Sequence, residues 1–317
     1  MTLRLTVESG AWRTHVSNVV TEFGEVLPVV KGNGYGFGRA ELMTHAKLVA
    51  RDIAVGNSHE VTGVPNDMRP FVLTPVGVGV TEIPRADAVL TVGSTRDLAV
   101  LAALRADNPV VIKVASSMHR YGIDVTHAAR LRARAESDGH EVVAWSIHLP
   151  LTGNDDSRAA EATAIAGELA ADLPIHLSHI GGAVQRVRSA VTHRVVVRTG
   201  THLWLGDKSM FGLHADVIAT RPATFTSAGY RATVIPDAGT SEVHLVMVGC
   251  GSANGVGALD DGRSPFHFAR QRLHMLETPH MHTTMLSVTG NQRPQEGDWV
   301  DVQQPLTRVQ PDVVVWR

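Results

Sequence analysis

Cysteine is almost missing from this chain of 317 residues, which has one, Cys250. No internal disulfide framework can form, and a reducing compartment fits that usage. An excess of charge is missing too. The formal net charge is -2, so nothing in the balance argues for nucleic acid or for an anionic membrane surface as a partner. No stretch approaches the ~20 apolar residues of a membrane span. The opening run from Met1 to Glu8 lacks the apolar core of a signal peptide, and a cytoplasmic location is expected. Tandem repeats and low-complexity tracts are absent as well.

What is present is ordinary for a soluble globular protein: 44% hydrophobic residues and a mean hydropathy near zero. The length allows one large domain, or one large and one small. The 17 histidines are scattered, so most are expected at the surface or in hydrogen bonds. No metal site is expected.

One stretch organises the rest: Leu27-Pro28-Val29-Val30-Lys31-Gly32-Asn33-Gly34-Tyr35-Gly36. The apolar run reads as a buried strand that ends in a lysine, and the glycines after it let the backbone come close to something. A helix start is expected at Gly38-Arg39. Residues 12–23 read as a helix leading into this strand. Further strands are expected at 53–56, 71–74, 88–92, 110–114, 142–148, 175–178 and 194–198. Alanine-rich helical periodicity marks 39–51, 95–106, 125–137, 157–171 and 182–191, with caps at Ser94-Thr95 and Asp155-Asp156-Ser157. The connections after the second and third strands look short or irregular.

Eight short strands, apolar rather than alternating and mostly separated by helices, predict an α/β fold of the (β/α)8 TIM-type barrel class. A doubly wound open sheet is the alternative, but the Gly-x-Gly-x-x-Gly turn it would show after the first strand is absent. After about residue 215 the texture changes to Thr-, Gly- and Pro-rich β-like segments, at 223–226, 230–235, 243–248, 283–288 and 298–302. The expected organisation is a barrel over 1–214 followed by a small all-β C-terminal domain over 215–317.

Read alone, Val29-Val30-Lys31 is an ordinary lysine at a strand end. A lysine there in dry surroundings can also have its pKa lowered enough to form a Schiff base. The decapeptide as a whole, Lys31-x-Asn33-x-Tyr35-Gly36-x-Gly38, resembles the pyridoxal-phosphate lysine motif of the alanine racemase family. That resemblance implies that Lys31 holds pyridoxal 5'-phosphate and that Tyr35 touches its phosphate. Met118-His119-Arg120-Tyr121-Gly122 is similar to the family's Met-x-Arg-x-Gly, placing Arg120 near the cofactor's phenolic oxygen. Lys113 falls where the family has a lysine that can be carboxylated to pair with that arginine. His148, at the end of the sixth expected strand, matches the histidine that packs on the pyridine ring. Arg198-Thr199-Gly200-Thr201 resembles Arg-x-Gly-Ile, in which the arginine faces the ring nitrogen and the following amides bind phosphate. Such an arginine disfavours protonation of that nitrogen, which suits removal and return of an α-proton more than transamination.

The resemblance departs in four places. His176-Leu177-Ser178-His179-Ile180 keeps the first histidine of the family's His-x-x-Asn-Ser but not the last two residues, leaving Gly181 and Gly182 as possible amide donors. The tail at 303–308 lacks the late tyrosine-bearing segment. Most seriously, Cys250 stands where Gly-Tyr-Ala-Asp-Gly supplies the second catalytic base from a partner subunit. Racemisation needs an acid/base on each face of a planar carbanion. Cys250 is chemically capable, with an unperturbed pKa of about 8.5 against about 10 for tyrosine; it also reads as a small buried hydrophobe. Met281 and His282 resemble the Met-Asp segment near the substrate carboxylate, with histidine at the aspartate position. His282 is a fallback base, and a metal pair of His280 and His282 lacks a third ligand. The resemblance implies a head-to-tail homodimer and an amino-acid racemase, with a D-amino acid on one side of the reaction. A pyridoxal-phosphate lyase or decarboxylase, or an inactive cofactor-binding homologue, remains open, as does a barrel without cofactor.

Overall fold

The structure is a computed structural model that describes residues 2–236, 238, 243–290 and 292–317. The chain opens with β1 (Leu3–Val7) and α1 (Ser9–Phe23). Eight parallel strands follow: β2 (Val26–Pro28), β3 (Asp52–Val55), β4 (Arg69–Pro75), β5 (Val89–Val92), β6 (Val110–Val114), β7 (Val142–His148), β8 (Ile175–Ser178) and β9 (Val195–Thr199). Their spatial order is β2-β9-β8-β7-β6-β5-β4-β3. The two ends meet where Val29 bridges Ala54 and the Val30 amide donates to the Ala54 carbonyl at 2.8 Å. A sheet closed on itself in this way is a barrel, as the apolar runs predict.

The helices between the strands are α2 (Arg39–Ala46), α3 (Thr95–Leu104), α4 (Val125–Ser137), α5 (Asp155–Gly167), α6 (Val184–Ala190) and α7 (Thr201–Leu205). After β3 there is only a 3-10 segment, Ser58–Gly63, and no helix stands between β4 and β5. Ser94 caps α3 by accepting from the Asp97 amide. On α5 the cap is Asn154, one residue before the expected cluster, in a reciprocal box with Ser157. None of these helices is long and apolar enough to cross a membrane, among the described residues.

Two compact units divide the chain. The barrel unit takes His15–Gly32 and Arg39–Gly206. The second takes the residues up to Thr14, then Asn33–Gly38, and everything from Asp207 onward. It therefore begins ahead of residue 215, because β10 (Phe211–Pro222) is paired from its first residue with β1. The remaining strands are β11 (Ser227–Ala228), β12 (Thr233–Val234), β13 (Val243–Val248), β14 (Phe266–Phe268), β15 (Gln271–Arg272), β16 (His274–Met275), β17 (Thr284–Thr289), β18 (Trp299–Val302) and β19 (Val313–Trp316). The main sheet runs β15-β14-β18-β10-β13-β17-β16, with β1 on β10 and β19 parallel to β1.

The expected strand at 223–226 is not one. The strand lies just before it, where Leu213, Ala215 and Val217 face inward. A register shift between Val217 and Ala219 lets β10 pass from β18 to β13, the usual work of a bulge. The turn Asn33–Gly38 is held in this unit by its own motif. The Asn33 amide donates to the Leu306 and Val309 carbonyls at 2.8 and 2.5 Å. Phe37 stacks on Trp316 with centroids 5.8 Å apart.

Candidate active site

Alternate residues of a strand share a face. On β6 to β9 this places Lys113, Ser146, His148, His176, Ser178 and Arg198 on one side of the sheet, and the barrel turns that side inward. Register confirms the sharing: Lys113 sits beside Ser146, Ser146 beside His176, and His148 beside Ser178. The polar residues interrupt otherwise apolar strands, so the chain concentrates its chemistry at one end of the barrel, the carboxyl ends of the strands.

Arg198 is the centre of that layer. It is 6% exposed. Its Nη1 donates to Ser146 Oγ at 2.9 Å, and its Nη2 donates to the Ile147 carbonyl and to Ser178 Oγ, both at 2.8 Å. Its Nε is buried with no partner. Burial first, and Arg120 further, lower its pKa to about 10, against which Tyr121 works. Lys113 is 3% exposed, and its Nζ also lacks a partner. Burial, then Arg198 and Arg120, hold its amine well below the ordinary lysine range.

Lys31 stands just beyond β2, on the same inward alternation as Leu27 and Val29. Lys31 is exposed, yet the atoms around its amine still desolvate it in part. Burial is the largest cause lowering its pKa, followed by Arg120, with Glu60 opposing and Arg198 adding. Glu60 is a residue that the sequence reading missed. Its carboxylate accepts from the Gly32 amide at 2.8 Å and from the Gly56 amide at 2.6 Å, tying the turn after Lys31 to the end of β3. Among the groups that shift Lys31, it is the one carboxylate.

His148 is held neutral, with its pKa lowered to about 2, by burial first and then by Arg198, Lys113, His179 and Arg120. His176, on the same face, is lowered to about 3 by burial and by Arg198; its ring lies 5.5 Å from Phe71. Arg120 is exposed and turned onto its neighbour, donating to the Tyr121 hydroxyl at 2.8 Å with its guanidinium over that ring. Gly200 precedes α7 with φ -130° and ψ -81°, and Thr201 opens the helix. The amides of Gly181 and Gly182 are poor candidates for an anion. The Asp155 carboxylate lies against them, its oxygens 3.2 and 2.8 Å from where Cβ atoms would stand.

Tyr35 is 6% exposed, with φ +57°, and belongs with the second unit. That unit brings Cys250 and the segment of Met281 and His282 together. Ser252 and Ala253 donate their amides to the carbonyls of His280 and Met281 at 2.8 and 2.9 Å. Gly251 permits this approach, since a Cβ there would stand 2.1 Å from the His280 oxygen. Met281 is 67% exposed and His282 is exposed. Cys250 is the opposite. It is 0% exposed, and burial, reinforced by Asp216 and Asp312, pushes its thiol far above the ordinary range. Where the sequence leaves two readings of Cys250, the buried hydrophobe describes its surroundings, and a thiolate is disfavoured there. Among the described residues no three His, Cys, Asp or Glu side chains gather as a metal site.

Comparison with known proteins places this geometry. The sequence matches the description "Alanine racemase, N-terminal domain" over residues 7–208. A search of curated proteins by sequence gives no match. Among solved structures, alanine racemase from Bartonella henselae with covalently bound pyridoxal phosphate is similar, with a TM-score of 0.74 and 17% identity over 100% of both chains. Biosynthetic alanine racemase from Pseudomonas aeruginosa is similar at 0.73 and 19%, over 100% of this chain and 99% of that one. The enzyme from E. faecalis follows at 0.72 and 18%, over 100% and 98%. At these identities the structures speak for the fold. With the match that spans most of the barrel, they establish that this chain belongs to the alanine racemase family.

Proposed function

We propose that this protein is a pyridoxal-phosphate-dependent amino-acid racemase acting on a small amino acid. The observation that carries the reading is the convergence of Lys31, Lys113, His148 and Arg198 at one end of the barrel, with the Arg198 Nε buried and unpaired. A buried donor without an acceptor is costly. The nitrogen of a pyridine ring is an acceptor of the right kind. The excess of cations over carboxylates around Lys31 equally suits a ligand bearing phosphate and carboxylate groups.

On this reading Lys31 Nζ holds the cofactor, Arg198 Nε faces its ring nitrogen, and His148 packs against the ring. Tyr35, Gly200 and Thr201 take the phosphate, and Arg120, Met281 and His282 face the substrate. When bound, the cofactor supplies an electron sink for the negative charge that develops at Cα. The lowered pKa of Lys31 keeps more of it as free amine near neutrality, able to attack a carbonyl and to take or return the Cα proton. Arg198, as a cation at the ring nitrogen, keeps that nitrogen unprotonated and favours simple proton exchange. Lys113 is proposed to be carboxylated. Its amine is deprotonated more readily than usual, so it can add carbon dioxide with release of one proton, and the resulting carbamate would offer acceptor oxygens to pair with Arg120. A head-to-tail homodimer is the proposed working form, checked by sedimentation.

With Cys250 buried, the racemase reading takes the exposed His282 as the base opposite Lys31; the same burial favours a second reading. Without a base opposite Lys31, one-sided proton handling, as in a decarboxylase or an aldol-type lyase, or cofactor binding alone, becomes the alternative. Visible absorption before and after borohydride, with peptide mapping, tests the shared premise: a yellow band fixed onto Lys31 supports it. A protein that stays colourless with added pyridoxal phosphate overturns it. Solvent deuterium at Cα then separates the reactions. A racemase exchanges and inverts, a one-base enzyme exchanges with retention, and a binding protein does neither.

A further inference from the structure

We infer that Ser178 is a positioning residue that fixes His148 in a single tautomer, with its proton on Nε2, by relaying a hydrogen bond from Arg198. The significance for a cofactor rests on the reading above; the tautomer itself does not.

The hydrogen-bond inventory decides the direction of each bond. Ser178 is 5% exposed and stands beside His148 in register. Its Oγ lies 2.8 Å from Arg198 Nη2 and 2.8 Å from His148 Nδ1. A guanidinium has donors and no acceptor, so Arg198 donates and Oγ accepts. The hydroxyl has one proton left to place. Ser178 makes no other side-chain hydrogen bond among the described residues, so that proton goes to His148 Nδ1. An imidazole nitrogen that accepts is bare, and the ring's own proton is therefore on Nε2. The reverse arrangement, with Nδ1–H donating, would make Oγ a double acceptor and leave a buried hydroxyl proton unplaced.

The neighbouring ring is fixed by a different device and in the opposite sense. His179 Nδ1 lies 2.9 Å from the Leu149 carbonyl. A carbonyl only accepts, so His179 carries its proton on Nδ1 and leaves Nε2 bare. The two rings meet edge to face with centroids 4.5 Å apart. One ring thus presents an N–H and the other a lone pair, side by side at the ends of β7 and β8. The second is held by a backbone carbonyl that no side-chain substitution removes. The first depends on one hydroxyl.

Ser178 also holds one of the three hydrogen bonds that aim Arg198. It couples the cation expected at the ring nitrogen to the imidazole expected on the ring face. Removing the hydroxyl frees His148 to exchange tautomers and loosens Arg198 at once.

The test is long-range proton–nitrogen correlation NMR of protein labelled with nitrogen-15 in histidine, without added cofactor. His148 is assigned by the resonances lost in His148→Gln. The expected result is a bare Nδ1 and a protonated Nε2 in the wild type, averaged signals from both nitrogens in Ser178→Ala, and restoration in Ser178→Thr. A protonated Nδ1 in the wild type, or nitrogen signals unchanged in Ser178→Ala, overturns the inference. Unchanged circular dichroism shows that the variants fold, and the threonine variant keeps the test decisive if alanine does not. With cofactor bound, Ser178→Ala is expected to shift the visible band and lower kcat about tenfold with KM little changed. Because the NMR result needs no cofactor, it stands or falls apart from the borohydride result on Lys31.

Discussion

Gly122 carries a tight steric demand on backbone atoms at the end of β6. It adopts φ +129°, and a Cβ there would stand 2.8 Å from both the Ala115 nitrogen and the Val114 carbonyl carbon. The next residue is bonded in both directions: Ile123 donates to the Lys113 carbonyl and accepts from the Ala115 amide, each at 2.8 Å. This clip returns the chain onto β6 immediately after Arg120, and only glycine fits it. Gly122→Ala is expected to cost about 2–4 kcal/mol, from a strained backbone and at least one lost bond. Urea unfolding would show it as a lower midpoint with the slope unchanged. Lys31 poses a different question, because nothing in the fold depends on its amine. Lys31→Ala should leave stability near the wild-type value, abolish borohydride fixation, and lower turnover by about 10²–10⁴-fold, the range for losing a positioned acid/base. If turnover is retained, Lys31 is not the proton carrier.

At the scale of elements, α5 shows how a local signal sets a boundary. Asn154 accepts from the Ser157 amide at 2.9 Å, while Ser157 Oγ accepts from the Asn154 amide at 3.0 Å. Asn154→Ala should cost about 0.5–2 kcal/mol, and Ser157→Ala added to it should cost little more, since one box is lost once. Thermal melts of the two variants check this. The same helix shows what the sequence hides. Asp155 and Asp156 look like caps, but the residue that caps is the one whose backbone is still extended. The barrel strands were legible because each is a short apolar run buried on both faces, and all eight lie where those runs predict. The strands of the second unit were less so. Gly212, His214 and Asp216 break the apolar run of β10, and β1 and β19 find their partners 200 residues and more away in sequence. Among the residues of the candidate site, Lys31, Arg120, His148 and Arg198 are the ones to which the motifs point. They do not point to Ser146 and Ser178, though the two-residue spacing of these serines from His148 and His176 carries the inward periodicity. Glu60 left no such mark, because its role depends on two backbone amides that only folding brings together.

For the whole molecule, the barrel interior trades stability for a dry, cationic site, and the trade is visible in pH. Both inward histidines are neutral in the folded state, His176 with a pKa of about 3 and His148 of about 2, against 6.5 for a free imidazole. His179 and His214 are lowered as well. As the pH falls through 6.5, the unfolded chain takes up a proton at each of these rings and the folded chain refuses it. The unfolded state then binds more protons, so stability declines with falling pH. For a fully enclosed ring the slope approaches about 1.4 kcal/mol per pH unit. His176 qualifies, being 7% exposed, while His148 is only partly buried and contributes less. Most carboxylates titrate below this window, so the interval from pH 7 to 5 isolates the histidines. Urea midpoints are expected to fall steadily across it in the wild type. In His176→Gln, which keeps a polar group of similar size, they should fall less steeply, by the share of one proton. A wild type whose midpoint is flat between pH 7 and 5 would mean that the inward rings reach water or a carboxylate, and the barrel interior is not the dry cationic chamber that the proposed chemistry requires.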